Sequence, residues 1–125
     1  MKLIILLNLL IASAYAAPNR EMLFECLNYD ETSPVVGAFI YQKMLGPNKL
    51  YEIEVDMSED SRQRNFFRRV NLIEIYGGRI LHFTTGNFRI KFDRVQVDNQ
   101  GLFPAFARIP QYGIHSKNWK CKAAL

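Results

Sequence analysis

The stretch Tyr51-Glu52-Ile53-Glu54-Val55-Asp56-Met57 alternates apolar and acidic side chains without a break. Because successive side chains of a β-strand point to opposite faces of the sheet, the stretch predicts a half-buried strand. Its odd-numbered residues belong to the core and its acidic residues to a solvated face. The polar residues 58–65 follow as a predicted loop.

Upstream of this strand, the sequence predicts a helix that begins near residue 33 and ends at Gly46-Pro47. Ser33 can accept hydrogen bonds from the free amides of the first turn, and Pro34 fits the first helical position. Glycine and proline at 46–47 are typical of a helix end. Apolar residues recur at helical spacing between these signals: Val36, Phe39, Ile40 and Met44.

Downstream, apolar runs separated by turn residues predict a series of strands. They cover residues 66–76, 79–84, 88–92 and 102–109, with turns at 77–78, 85–87 and 98–101. A change of apolar parity at Asp93-Arg94 predicts a β-bulge, and residues 110–118 are a predicted loop. The resulting expectation is a single α+β domain, in which one α-helix packs on a twisted antiparallel β-sheet.

The first sixteen residues have the features of a secretory signal peptide. Lys2 supplies a positive start, residues 3–11 are mostly apolar, and Ala14-Tyr15-Ala16 matches a signal-peptidase site. The apolar run is shorter than the roughly 20 residues of a membrane span. We therefore expect a secreted domain of residues 17–125 that has no membrane anchor.

Both cysteines, Cys26 and Cys121, belong to this domain. In an oxidising compartment an even pair predicts one disulfide, here joining the two ends of the domain. The alternative, a reactive thiol pair, favours C-x-x-C spacing, which the chain lacks.

Composition and motifs exclude several classes of function. The chain has 125 residues, a formal net charge of +4 and 49% hydrophobic residues, which is a globular composition. Two cysteines are too few for a four-cysteine zinc site, and the common hydrolase, phosphate-loop and dinucleotide motifs are absent. His82 and His115 show no acid–base pattern. No metal or cofactor is expected.

Arginines beside aromatic residues are the most prominent polar feature. Such groups can bind phosphates and stack on bases, so they are candidate RNA-binding or partner-binding residues. The alternative is a solvated strand face with Phe66 or Phe67 in the core. Lys91 lies with Arg89 and Arg94 on the outer face of a later predicted strand. The candidate residues are Arg62, Arg64, Arg68, Arg69, Arg89 and Arg94.

Phe24-Glu25-Cys26 is an aromatic-x-Cys motif near the start of the domain, and Trp119-Lys120-Cys121 lies near its end. With the signal peptide and domain length, these motifs resemble the RNase-like secreted effectors associated with haustoria in powdery mildew fungi. The resemblance implies the fold of small guanyl-specific fungal ribonucleases, closed by a terminal disulfide.

The same resemblance implies that catalytic residues have been replaced. Ile53 stands where active members carry a histidine, Arg68 replaces a glutamate, and Arg108 falls near a second histidine. Asp93-Arg94-Val95 matches a downstream family strand. Since isoleucine and arginine cannot transfer protons at neutral pH, the resemblance implies a pseudo-ribonuclease rather than an enzyme.

The family resemblance also implies a function. We expect a monomeric virulence effector that reaches the host cytoplasm, binds host plant proteins, host RNA or the ribosome, and is recognised by plant immune receptors. Two alternatives remain open at this point. One is an active secreted ribonuclease or toxin, and the other is an extracellular binding module or inhibitor.

Overall fold

The computed structural model describes residues 20–30 and 32–124, and the predicted signal peptide lies outside them. These residues form a closed barrel of antiparallel strands in which each strand pairs with its neighbours in sequence and the last pairs with the first. The described helical structure is too short and too polar to cross a membrane. The strands are β1 (Arg20–Asn28), β2 (Val35–Leu45), β3 (Asn48–Met57), β4 (Phe66–Ile75), β5 (Ile80–Thr85), β6 (Phe88–Asp93), β7 (Phe103–Ile109) and β8 (Ile114–Ala123), with a 3₁₀ helix (Pro110–Tyr112) before β8.

The predicted α+β, ribonuclease-like fold is therefore wrong, because the segment expected to be its helix is strand β2. A shift of register at Val36 inserts one extra residue opposite β3. As a result Val35 and Ala38, three positions apart, both face the core and are about 1% exposed. The four apolar residues at helical spacing instead lie on both faces of the strand, since Ile40 is buried whereas Val36 is 40% exposed. The β-branched and aromatic residues of the segment favour the strand.

The two terminal strands were not predicted. Residues 110–118, expected to be a loop, include the 3₁₀ helix and the start of β8. Ala107 pairs with Ser116 whereas Ala105 pairs with Trp119, so β8 carries an extra residue that breaks its alternation. A register shift between Met22 and Phe24 has the same effect in β1.

The alternating segments were predicted well. Residues 51–57 lie in β3 with Ile53 and Val55 fully buried, and the loop 58–65 follows. The turns at 77–78 and 86–87 separate β4, β5 and β6. The bulge expected at Asp93-Arg94 is absent, because β6 ends at Asp93 and a turn follows.

Apolar side chains fill the interior of the barrel. Trp119 and Phe83 are fully buried, and the ring of Phe92 contacts that of Phe24 edge-on with centroids 4.8 Å apart. No polar or charged residue is buried within the described ranges. An eight-stranded barrel is narrow enough for side chains to fill, and this interior is a packed core.

The barrel closes at the predicted disulfide, which is confirmed. Cys26 and Cys121 are direct partners in the β1–β8 ladder, with Cα atoms 4.0 Å apart, and they form a disulfide bond. The Tyr29 amide donates to the Asn118 carbonyl at 2.9 Å on one side of this pair. The covalent bond therefore joins the strands whose pairing converts the sheet into a barrel.

The β1–β2 pair also requires a glycine. The backbone of Gly37 lies so close to β1 that a Cβ atom at this position would overlap the Cys26 carbonyl oxygen. The strand that carries the disulfide is thus held against β2 at a distance that only glycine permits.

We predict that loss of the disulfide destabilises the barrel strongly. The double variant C26A/C121A should lower the free energy of unfolding by about 2–5 kcal/mol, because the bond restrains a long segment of unfolded chain. Urea unfolding followed by circular dichroism measures this change. Reduced wild-type protein is the control that leaves the side chains in place. Cysteines that alkylate without reductant, or unchanged unfolding after reduction, would contradict the role given to this bond.

We also predict that Gly37→Ala lowers the free energy of unfolding by about 1–3 kcal/mol, because the added methyl group overpacks the β1–β2 contact. The matched control is Val36→Ala, a neighbouring side chain that is 40% exposed. Its effect should remain within about 1 kcal/mol. The same urea experiment measures both, and equal effects would show that the close approach is unimportant.

Candidate polyanion-binding face

The outer surface of β5 to β8 collects basic side chains. In β6, Arg89 and Lys91 alternate with the buried Ile90 and Phe92, so they point away from the core. Among the side chains that the same alternation directs outward are His82 of β5, Phe106 and Arg108 of β7, and His115 and Lys117 of β8. We call this surface the basic face, and it comprises His82, Arg89, Lys91, Phe106, Arg108, His115 and Lys117.

Strand register places these side chains in rows. Arg89 pairs with Thr84 of β5 on one side and with Arg108 of β7 on the other. Arg108 in turn pairs with His115 of β8. Because neighbouring strands lie about 4.8 Å apart, this row of four residues spans roughly 14 Å.

The second row contains an aromatic residue. Lys91 pairs with His82 on β5 and with Phe106 on β7. The Phe106 ring contacts the His115 ring edge-on, with centroids 5.0 Å apart. A surface groove of about 250 Å³ runs beside this row, and its lining includes Lys91, Phe106 and Lys117.

The cations of the face have no carboxylate partners. No salt bridge among the described residues involves Arg89, Lys91 or Arg108. Asp93 ends the β6 side of the face, but it is bonded to Arg79 at 3.0 Å. The hydrogen bond from Arg79 is the main cause that lowers the pKa of Asp93. The positive charge of the face is thus left for solvent or a ligand to compensate.

His82 lies in the most cationic part of the face. Partial burial lowers its pKa, and the nearby charges of Arg89 and Lys91 lower it further. Its Nε2 atom and the Nε atom of Arg89 are both shielded from solvent and lack hydrogen-bond partners. Two polar groups on adjacent strands are therefore unsatisfied.

The outer face of β3 has the opposite character. Glu54 accepts a hydrogen bond from the Tyr41 hydroxyl at 3.1 Å and lies 3.8 Å from Arg20. Burial raises the pKa of Tyr41, and Glu54 adds to the effect. The Arg20 guanidinium stacks on the Tyr41 ring, 3.7 Å from its centroid, and lies 4.6 Å from that of Phe67. Here the charges compensate one another within the protein.

The structure does not bring the arginines predicted from the sequence together. Arg62 and Arg64 lie in the exposed 58–65 loop, and Arg69 pairs across strands with Glu52. Arg94 donates to the Gly78 carbonyl and fixes the β4–β5 turn. Of the predicted set, Arg89 alone belongs to the basic face.

The positions implied by the family resemblance are also dispersed. Ile53 is fully buried and pairs with Arg68, which reaches a groove of about 300 Å³ and bonds Gln111 at 3.5 Å. Arg108 instead belongs to the basic face. Phe24 of the aromatic-x-Cys motif packs in the core beside the disulfide-bonded cysteine. No common site joins these residues.

Sequence reasoning missed Arg108, His115, His82 and Lys117 as members of one surface. Within residues 81–83, 88–92 and 105–109, apolar core residues alternate with outward side chains, so the sequence itself indicates that His82, Arg89 and Arg108 point outward. The sequence does not show how the four strands pair, because their register depends on the turns and on the bulge in β8. The described residues contain no group of three or more acidic, histidine or cysteine side chains that could hold a metal ion.

Comparison of the chain with protein-family models, curated proteins and solved structures finds no match in any of the three.

Proposed function

We propose that this chain is a secreted, non-catalytic binding protein whose basic face binds single-stranded RNA. The observation that carries the proposal is the cationic row of β6 to β8, which forms no salt bridge with any carboxylate of residues 20–30 and 32–124. Secretion is proposed from the sequence features of residues 1–16 alone.

Uncompensated charge supports a polyanionic ligand. Phosphates neutralised by lysine and arginine release counterions, which supplies most of the sequence-independent affinity for nucleic acid. Arg89 and Arg108 are adjacent in one row, and Lys91 stands beside them in the next. Their spacing over several strands suits an extended chain of charges better than a single small anion.

Aromatic groups among the cations favour RNA over a sulfated polysaccharide. Bases of single strands stack on exposed aromatic and imidazole rings, and this contact tolerates any base sequence. Phe106 is partly exposed and lies against His115 beside the groove of the second row. The packed interior gives no comparable support for a carrier of small apolar ligands.

The separation of the two histidines supports binding without cleavage. RNA transesterification needs a base and an acid that act on the same phosphate. His82 lies on β5 and His115 on β8, with two strands between them. At the spacing of antiparallel strands their backbones are roughly 14 Å apart.

We predict salt-dependent binding of a fluorescein-labelled 12-nucleotide RNA, measured by fluorescence anisotropy. If four cations contact phosphates, the plot of log affinity against log salt should have a slope of about −3, since each contact in single strands contributes about −0.7. The double variant R89A/R108A should reduce the slope by about 1.4. The same RNA should remain uncleaved during incubation.

The matched control is R62A/R64A, which removes the same charge from the exposed loop and should leave slope and affinity within about twofold of wild type, because these residues lie off the face. Equal effects of the two double variants, or binding that does not respond to salt, would contradict the proposal. Preferential binding of a sulfated polysaccharide would replace RNA as the ligand. Cleavage that disappears in H82Q or H115Q would restore the enzyme alternative.

A role as a virulence effector in plant cells is a second proposal, supported by the signal-peptide features and the aromatic-x-Cys motif. The ribonuclease-like fold no longer supports it, because the described chain is a barrel. Loops on a rigid scaffold are common recognition elements, so the 58–65 loop is a candidate surface for host proteins or immune receptors.

We predict that expression of residues 17–125 in host plant cells, followed by affinity capture and an infection assay, recovers host RNA or a specific host protein and increases pathogen growth. R89A/R108A should lose the captured RNA, whereas R62A/R64A should retain it. Absence of a specific partner, of altered growth and of receptor-triggered cell death would leave the effector role without support.

A further inference from the structure

We infer that His82, Arg89 and Lys91 form an oxyanion subsite within the basic face, and that an oxyanion bound there brings a proton onto His82. The inference rests on the proposed RNA binding, and it identifies the part of the face that holds a phosphate group. No covalent chemistry is involved.

Strand pairing creates the subsite. His82 on β5 is the direct partner of Lys91 on β6, and Arg89 lies two residues from Lys91 on the same outer face. Three nitrogen-bearing side chains therefore project from the same outer face of two adjacent strands. Arginine with lysine is a common combination for phosphate recognition.

Unsatisfied polar atoms supply an independent indication. The Nε2 atom of His82 and the Nε atom of Arg89 lack partners and contact no solvent. Buried polar groups normally form hydrogen bonds, and exceptions require an explanation. Both side chains as a whole are only partly buried, so rotation about their side-chain bonds can present these nitrogens to a ligand without opening the barrel. An oxyanion offers acceptors to both.

Among residues 20–30 and 32–124, the charged groups that act on the pKa of His82 are Arg89 and Lys91, and no acid is one of them. On the β4 side its partner is Ile73, which is 47% exposed and does not titrate. On the β6 side it faces Lys91 and Arg89, while Asp93 farther along is bonded to Arg79. On its own strand, Thr84 donates to the Phe88 carbonyl and carries no charge. The charges that act on His82 are therefore positive.

This arrangement couples anion binding to protonation. In the free protein, burial and the two cations lower the pKa of His82, so the imidazole is neutral at neutral pH. A bound phosphate places negative charge close to the imidazole and offsets the effect of both cations on it. Both effects raise the pKa of His82. Between the pKa of His82 in the free protein and its pKa in the complex, the complex holds up to one more proton. Affinity therefore increases as the pH falls through that interval, by at most tenfold per pH unit for one proton.

The test is a pair of NMR titrations of the imidazole Hε1 signals of the purified protein. The two histidines give two signals, which H82Q and H115Q assign. In free protein His82 should titrate below 6.5, and R89Q or K91Q should raise its midpoint by removing a nearby cation. Saturating 12-nucleotide RNA should raise the wild-type midpoint by about one pH unit or more, and inorganic phosphate provides a second probe.

The outcomes separate the subsite from the proposed function. RNA binding with a His82 midpoint that neither RNA nor inorganic phosphate changes overturns the subsite and leaves RNA binding intact. A shift caused by phosphate but not RNA supports the subsite and contradicts RNA as the ligand. If neither probe moves the midpoint, or if H82Q binds RNA with the same pH dependence as wild type, the inference is wrong. Retained dispersion of the amide spectrum verifies the fold of each variant.

Discussion

Pairing of the first strand with the last is the constraint on which this molecule depends. Until β8 lies beside β1, both strands are edges of an open sheet and the aromatic core is exposed. Closure satisfies their backbone groups and encloses the interior, since a barrel has no free edge. The disulfide between Cys26 and Cys121 joins direct partners across this seam, and Gly37 lets β2 approach the same strand. The disulfide, the hydrogen bonds between β1 and β8 and the close contact between β1 and β2 thus all stabilise the same part of the barrel.

The charge distribution follows from the same architecture. A packed barrel directs alternate side chains outward, so each strand contributes a column to the surface and the register orders the columns into rows. On β3 the outward carboxylate of Glu54 is compensated by Arg20 and accepts a hydrogen bond from Tyr41. On β6 and β7 the outward residues Arg89 and Arg108 are direct partners, and Asp93 at the end of β6 is already bonded to Arg79. The fold leaves an uncompensated surface on one side, on which the proposed RNA binding and the oxyanion subsite rest.

Strands with regular alternation could be predicted from the sequence, whereas strands with bulges could not. Residues 51–57 and 88–92 alternate strictly and were recognised, whereas bulges in β1, β2 and β8 move apolar residues off that period. In β2, apolar residues on both faces, preceded by Ser33-Pro34, have a spacing that resembles a helix. The basic face could be predicted only in part. Arg89 and Lys91 are close in sequence, whereas Arg108 and His115 come to lie beside them only because of the strand register. Pairing between distant strands is a tertiary property that local patterns do not encode.

The most direct test of this account is a nuclear Overhauser spectrum of the oxidised protein, focused on contacts between β1 and β8. Hydrogen bonds at Tyr29 and Ala124 make Cys26–Cys121 a non-hydrogen-bonded pair, in which the two Hα atoms approach closely. The barrel predicts strong Hα–Hα contacts for Cys26–Cys121 and for Asn28–Trp119, together with cross-strand contacts between Ile40 and Ile53. Sequential amide–amide contacts through residues 35–45, with no Hα contacts between β1 and β8, would instead indicate a helix on an open sheet and contradict the account.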